Sequence, residues 1–434
     1  MDKRFHAVWP LALLLAAGGG CQCSAPDGVV DDCQAELELP PSVSTDILFV
    51  IDNSGSMQEE QQKVVDELHT FVQQLVSAPV RNDFQLGVVT TGVSQNSALC
   101  GATAPASCVE FPFESGRLQR GKDLAGKVLD TTSKKLLVAD DPDLLPEAQV
   151  LLGQGTAGSG QEMGLEAARR ALSTPLLDNP LDGNPAGNKG FLRPGARLLV
   201  IIVSDEDDCS DAASCADSAS RLFITSACPG GCTQDADCQG EGHYCLLVDP
   251  HDPGRGRSCS LNACETPAGR ARLAPVDGYV SFLNGLDDGT GSGRKREVFL
   301  AVIGAVDAAG APARCQGGGS EAYGVAVRYQ AAVTQMGARG LIETICKDSY
   351  ADALTRIATL VNAPQTVELA RPPPDPRLIL FDVTDTSGAT KTCRVGEGFD
   401  YEPPAGTAPA RVTFKGTCRL SAGDQLKVRL VCAN

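Results

Sequence analysis

Three short, continuous apolar runs punctuate the chain: Ile47 to Ile51, Arg197-Leu-Leu-Val-Ile-Ile-Val203 and Glu297-Val-Phe-Leu-Ala-Val-Ile303. They are too short to span a membrane and fit strands buried on both faces of a parallel sheet. Phe84 to Thr91 reads as a further strand, and Gly340 to Ile345 as a shorter edge strand. Helical spacing fills the gaps. Val64, Leu68, Phe71, Val72 and Leu75 share one face of a helix over 58–77, which Pro79 ends. A second helix runs from about Glu162 to Leu172. A last one, capped by Asp348 or Ser349, carries Ala353, Leu354, Ile357, Ala358 and Val361. Strands alternating with helices predict an α/β domain over 46–362, a doubly wound, mostly parallel sheet with right-handed crossovers.

The pattern breaks twice. Between 209 and 274, Cys209, Cys215, Cys228, Cys232, Cys238, Cys245, Cys259 and Cys264 crowd a polar stretch that cannot bury a core, so cross-links must hold it. Zinc is the rival to disulfides there, given Cys228, Cys232, His243 and His251. After a Pro-rich linker at 363–376, residues 377–434 alternate with period two in Leu378 to Val383, Arg411 to Phe414 and Gln425 to Cys432. That predicts a small antiparallel β domain.

The amino terminus changes the compartment. Lys3 and Arg4 precede the apolar run Leu11 to Ala17, and Gly18-Gly19-Gly20 leads into Cys21. This reads as an export signal over 1–20. Small residues before a cysteine resemble a bacterial lipoprotein cleavage site, which implies Cys21 as the lipidated first residue. Gln22 after it implies the outer membrane or cell surface, with a periplasmic or secreted protein as the alternative. Residues 21–45 then form a tether. Export turns the 18 cysteines into a disulfide framework, with Cys23 the candidate left over and Cys100 and Cys108 a candidate staple. A net charge of −17 over 434 residues, with no basic stripe, argues against nucleic-acid binding.

The chemistry sits where the apolar runs stop. Asp52, Ser54 and Ser56 follow the first, with Gly55 closing the turn, and ligands in open α/β sheets bind beyond such strand ends. Either these oxygens hold a hard cation or they cap the following helix. Asp52-x-Ser54-x-Ser56 after a buried strand resembles the metal-ion-dependent adhesion site of von Willebrand factor type A domains. That resemblance implies a second loop with a threonine ligand, here Thr156 with Ser159 as the alternative, and a third loop with an acid, here Asp205. Glu206 stands where the family has glycine. The cofactor implied is Mg²⁺, or Mn²⁺ or Ca²⁺. Three hydroxyls and two carboxylates leave a position for a partner protein's Asp or Glu. The whole chain is similar to Cys-rich type A lipoproteins of myxobacteria-like bacteria. An envelope protein whose metal only stabilises the fold is the competing expectation. No Gly-x-Ser-x-Gly, His-Glu-x-x-His or Walker motif occurs, and Ser54 stands where a haloacid-dehalogenase-type phosphatase needs its second Asp, so no enzyme is expected.

Overall fold

Each apolar run becomes a strand of one six-stranded sheet in the computed structural model. The structure describes residues 33–36, 42–76, 81–98, 107–211, 224–225, 231–248, 253–315, 321–362, 366–369, 375–385, 388–404, 410–418, 420 and 424–430. The expected export signal, Cys21, Cys23 and Cys100 lie outside them, as do Cys215, Cys228 and His251. In chain order the sheet contains β1 (Ser42–Ile51), β2 (Arg81–Thr90), β3 (Leu136–Val138), β4 (Arg197–Val203), β5 (Val298–Gly304) and β6 (Gly340–Thr344). They lie side by side as β3-β2-β1-β4-β5-β6. Every pairing is parallel except that of β3 with β2. The order therefore reverses between β1 and β4, where a doubly wound sheet opens a crevice at its carboxyl edge.

The helices that cover the sheet are α1 (Gln58–Val76), α2 (Leu144–Leu152), α3 (Gly164–Ala171), α4 (Val276–Gly285), α5 (Val327–Met336) and α6 (Ala351–Asn362). α1 packs against α2 and α6, and α4 packs against α3 and α5, giving a helical layer for each sheet face. All residues of β4 and β5 are buried, which is why those strands read as unbroken apolar runs. Phe71 of α1 meets Phe49 of β1 edge to face, with ring centroids 5.7 Å apart.

Two segments read as connectors also supply strands. Cys33–Glu36, within the expected tether, pairs antiparallel with Gln425–Leu430. Thr366–Leu369, within the expected linker, pairs with Ala410–Phe414. The C-terminal unit thus has two sheets, one of four strands and one of three. Its separate core sets Phe381 edge-on to Phe399 and Phe414 at 5.1 and 4.9 Å, and Cys393–Cys418 cross-links it.

In the cysteine-rich insertion the disulfides are Cys209–Cys264, Cys232–Cys245 and Cys238–Cys259. The sulfurs of Cys232, Cys238 and Cys259 come within 4.8 Å of one another. All three are already in those cross-links, so they are not free to bind zinc as thiolates. The insertion carries a hairpin of His243–Leu247 and Arg257–Leu261, and its Ile224–Thr225 pairs with Ser94–Ala98. Since Ser94–Ala98 follows β2, this places the insertion over the carboxyl edge of the sheet. No described helix is long and apolar enough to cross a membrane.

Candidate functional site

Three loops meet at the carboxyl edge between β1 and β4. Asp52 extends β1 by one residue, its amide donating to Val203 at 3.0 Å. One of its carboxylate oxygens accepts from the Ser54 amide at 2.9 Å, the other from the Ser204 hydroxyl at 2.7 Å. The Ser54 and Ser56 hydroxyls are 3.1 Å apart. Ser54 is buried and Ser56 half-buried, so the motif faces the crevice through Ser56 and exposed Gly55.

Gln61 of α1 joins the first loop to the second. Its amide nitrogen donates to the Asp52 carbonyl at 2.7 Å and to the Gly155 carbonyl at 2.9 Å, while its oxygen accepts from the Gln154 amide at 3.1 Å. The Gly158 amide donates to the Asn53 carbonyl at 2.8 Å. A Cβ at Gly158 would sit 2.1 Å from Asn53 Oδ1, so this approach requires glycine. Gln61→Ala removes all three bonds of a buried amide and is expected to cost about 2 kcal/mol, read by urea unfolding.

The four acids after β4 are not a solvated run. Asp207 caps α5, accepting from the Arg328 amide at 2.8 Å. Asp208 accepts from the Leu165 amide at the start of α3 at 3.0 Å and pairs with the Arg328 guanidinium at 2.9 Å. Half-buried Glu206 reaches the insertion, accepting from Asn262 at 3.1 Å. Asp205 has no such use. It is fully buried, neither carboxylate oxygen has a well-formed hydrogen bond, and only the Ser56 hydroxyl comes near enough to ease its charge.

Glu162, directly before α3, completes the group. It is fully buried, one carboxylate oxygen accepts from the Thr91 hydroxyl at 2.5 Å, and the side chain lies against the Asp52 carboxyl, a hydrogen bond between the two raising Glu162 and lowering Asp52. Burial raises the Asp52 carboxyl, offset partly by Ser54 and Ser204. Burial, then Asp52 and Glu206, push Glu162 well above the usual carboxylate range. Burial, then Asp52, Glu206 and Glu60, do the same for Asp205, with the Ser56 hydroxyl easing it slightly. No Lys or Arg pairs with Asp52, Glu162 or Asp205 among the described residues.

The structure therefore brings together Asp52, Ser54, Ser56 and Asp205. The hydroxyls of the other two expected ligands donate to backbone carbonyls. The Thr156 hydroxyl donates to the Leu124 carbonyl at 3.3 Å, and the Ser159 hydroxyl is held by the Ser94 and Gln161 carbonyls at 3.2 and 3.1 Å. Glu162 was missed because a glutamate at a helix start reads as an ordinary first-turn acid. Its signal was proximity to the Gly-rich loop.

Comparison with protein-family models and with curated proteins gives no match. Among solved structures the chain is similar to the pilus adhesin SpaC from Lactobacillus rhamnosus GG in an open conformation. Identity is 11% and TM-score 0.31, over 91% of this chain and 39% of the adhesin. A second structure of that adhesin matches at 10% identity and TM-score 0.29, over 91% and 40%. The chain thus spans about two fifths of the adhesin's length. Likeness at this level carries no argument about function.

Proposed function

We propose that the loops between β1 and β4 form a type A, adhesion-type site. Asp52, Ser54, Ser56 and Asp205 hold a hard divalent cation there, and the protein is an envelope lipoprotein that binds a partner protein through it. The observation that carries this is Asp205: a fully buried carboxylate that only the Ser56 hydroxyl eases, beside a second buried carboxylate and with no Lys or Arg paired to it. Burying such charge without compensation is costly, and a dication supplies the compensation. The donors are all hard oxygens, which suits Mg²⁺, Mn²⁺ or Ca²⁺. A partner's Asp or Glu, or a water, reaches the cation past Ser56. Cys21 supplies the membrane anchor through lipid. The loops offer no nucleophile next to a base, and we read no catalytic role into them.

Immobilised protein is expected to capture envelope proteins in the presence of the cation and release them with EDTA. Ser56→Ala should lose that capture while staying folded. Capture that ignores both EDTA and Ser56→Ala would sink the adhesion reading. A second reading, a cation that only stabilises the fold, is favoured by the burial of Asp52, Ser54 and Asp205, each at most 4% exposed. It predicts cation-dependent stability with no cation-dependent partner.

A further inference from the structure

Away from the crevice, the segment after β2 and the segment between α3 and β4 enclose a pocket of about 400 Å³. That is the size of a small-molecule site. Phe113, Val128 and Pro185 give it apolar walls, Arg117, Arg120 and Lys135 line it as well, and none of its lining residues is acidic. In a chain of net charge −17 such a gathering of cations runs against the composition.

Arg117 is the group that needs explaining. Its Nε donates to the Ala186 carbonyl at 3.1 Å and its Nη1 to the Pro112 carbonyl, so the guanidinium is strung between two walls of the pocket. Among the described residues no carboxylate pairs with it. Two neutral carbonyls fix its orientation and leave its charge and its remaining N–H groups available. The other two cations share one acid. Arg120 meets Asp182 at 2.9 Å, and Lys135 meets the same oxygen at 3.3 Å. Three cations against one carboxylate leave the pocket positive. Phe113 stands at its rim, 87% exposed. A lone exposed aromatic is ordinary, but this one is held in place. Gln119 donates to the Phe113 and Arg117 carbonyls at 3.1 and 2.7 Å, fixing the backbone that presents both side chains.

We propose that this pocket binds a small aromatic carboxylate, its acid pairing with Arg117 and its ring packing against Phe113 and the apolar walls. A planar guanidinium oriented beforehand matches a planar carboxylate, and charge-assisted hydrogen bonds of this kind are the stronger ones. Arg120 and Lys135 add attraction at longer range, tempered by Asp182. An uncharged aromatic would cover Arg117 without pairing it, and a small inorganic anion would leave the apolar walls in water. The site shares no residue with the loops of Asp52 and Asp205 and does not depend on a cation there.

The test is calorimetric titration of the full chain, kept in EDTA, with 1-naphthylacetate and with its uncharged analogue 1-naphthylacetamide. The acid is expected to bind about tenfold or more tightly than the amide, the gap that one charge-assisted pair supplies. Arg117→Gln should bring the acid down to the affinity of the amide. Phe113→Ala should weaken both probes by about two- to tenfold. Asp182→Asn, which frees Arg120 and Lys135, should tighten the acid and leave the amide unchanged. Phe113 and the Asp182 side chain are mostly exposed, at 87% and 64%, so these two variants keep the fold and decide the matter should Arg117→Gln not fold. Equal binding of acid and amide, or acid binding that neither Arg117→Gln nor Phe113→Ala weakens, overturns the assignment. So does wild type that fails to bind the acid at millimolar concentration.

Discussion

Asp52→Asn is expected to raise the stability of the chelator-treated protein at neutral pH and, at the same time, to abolish its response to divalent cations. The two effects have one cause. Asparagine is nearly isosteric, its Oδ1 can accept from the Ser54 amide, and its Nδ2 can donate to the Ser204 hydroxyl, so both side-chain hydrogen bonds of Asp52 survive in altered form. What disappears is a buried negative charge that faces Glu162 and Asp205 without a counter-charge. On the proposed reading, a cation supplies that counter-charge in wild type. At a free cation concentration of about 100 Kd, native-state binding adds about 2.7 kcal/mol, or roughly 5–10 °C in unfolding midpoint for a domain of this order. Thermal scans with Ca²⁺, Mg²⁺, Mn²⁺ or EDTA measure both effects. A rise in midpoint that persists in Asp52→Asn would remove Asp52 from the ligand set. No rise with any ion in wild type would leave the crevice a scaffold and move the search for a binding surface to the disulfide insertion.

The chelated protein should also lose stability as pH rises from about 4.5 to about 7, the reverse of ordinary acid denaturation. Burial, the largest cause, pushes Glu60 to about 7 and likewise Glu265 to about 7. A carboxyl raised in the folded state holds its proton longer there than in the unfolded chain. Its contribution is complete below its unfolded value of 4.5 and is lost as pH rises through about 7. At about 1.4 kcal/mol per pH unit, each of these two groups is worth about 3 kcal/mol over that window. Asp52, Glu162 and Asp205 are shifted in the same direction and add to the slope. Urea midpoints in EDTA between pH 4.5 and 8 are expected to fall with pH. Saturating Ca²⁺ should restore stability most at the high end, because the cation takes the place of protons on the carboxylates. A chelated protein that gains stability with pH across this range would show that these acids are not buried without compensation.

Glu265 belongs to the insertion. One of its carboxylate oxygens accepts from the Val325 amide at 3.0 Å and the other from the Tyr244 hydroxyl. It fastens the cysteine-rich segment to the residues before α5, while Asn262 on Glu206 and the Cys209–Cys264 disulfide fasten it to the loop that carries Asp205. The insertion therefore borders the crevice through its own polar side chains.

The central strands were legible because a strand buried on both faces has no polar position to interrupt it, so Ile47 to Ile51 and Leu198 to Val203 announce themselves in one dimension. The ends of those runs located Asp52, Ser54, Ser56 and Asp205 for the same reason, since a polar residue after such a strand lies at the sheet edge. α2, α4 and α5 were not legible. Only Tyr279, Val280 and Leu283 of α4 are buried, and a helix that touches the core through so few residues carries little period. Cys33–Glu36 and Thr366–Leu369 are four-residue strands whose partners lie elsewhere in the chain, and so short a segment states no preference until its partner is beside it. By itself, then, the sequence determined the sheet and the polar loops that follow β1 and β4, because local patterning encodes burial and strand ends. Only the tertiary structure decided that the Thr156 and Ser159 hydroxyls donate to backbone carbonyls and that the Glu162 carboxyl lies against Asp52. Which oxygen in a glycine-rich loop meets Asp52 depends on hydrogen bonds to Leu124, Ser94 and Thr91, residues that no local pattern places there.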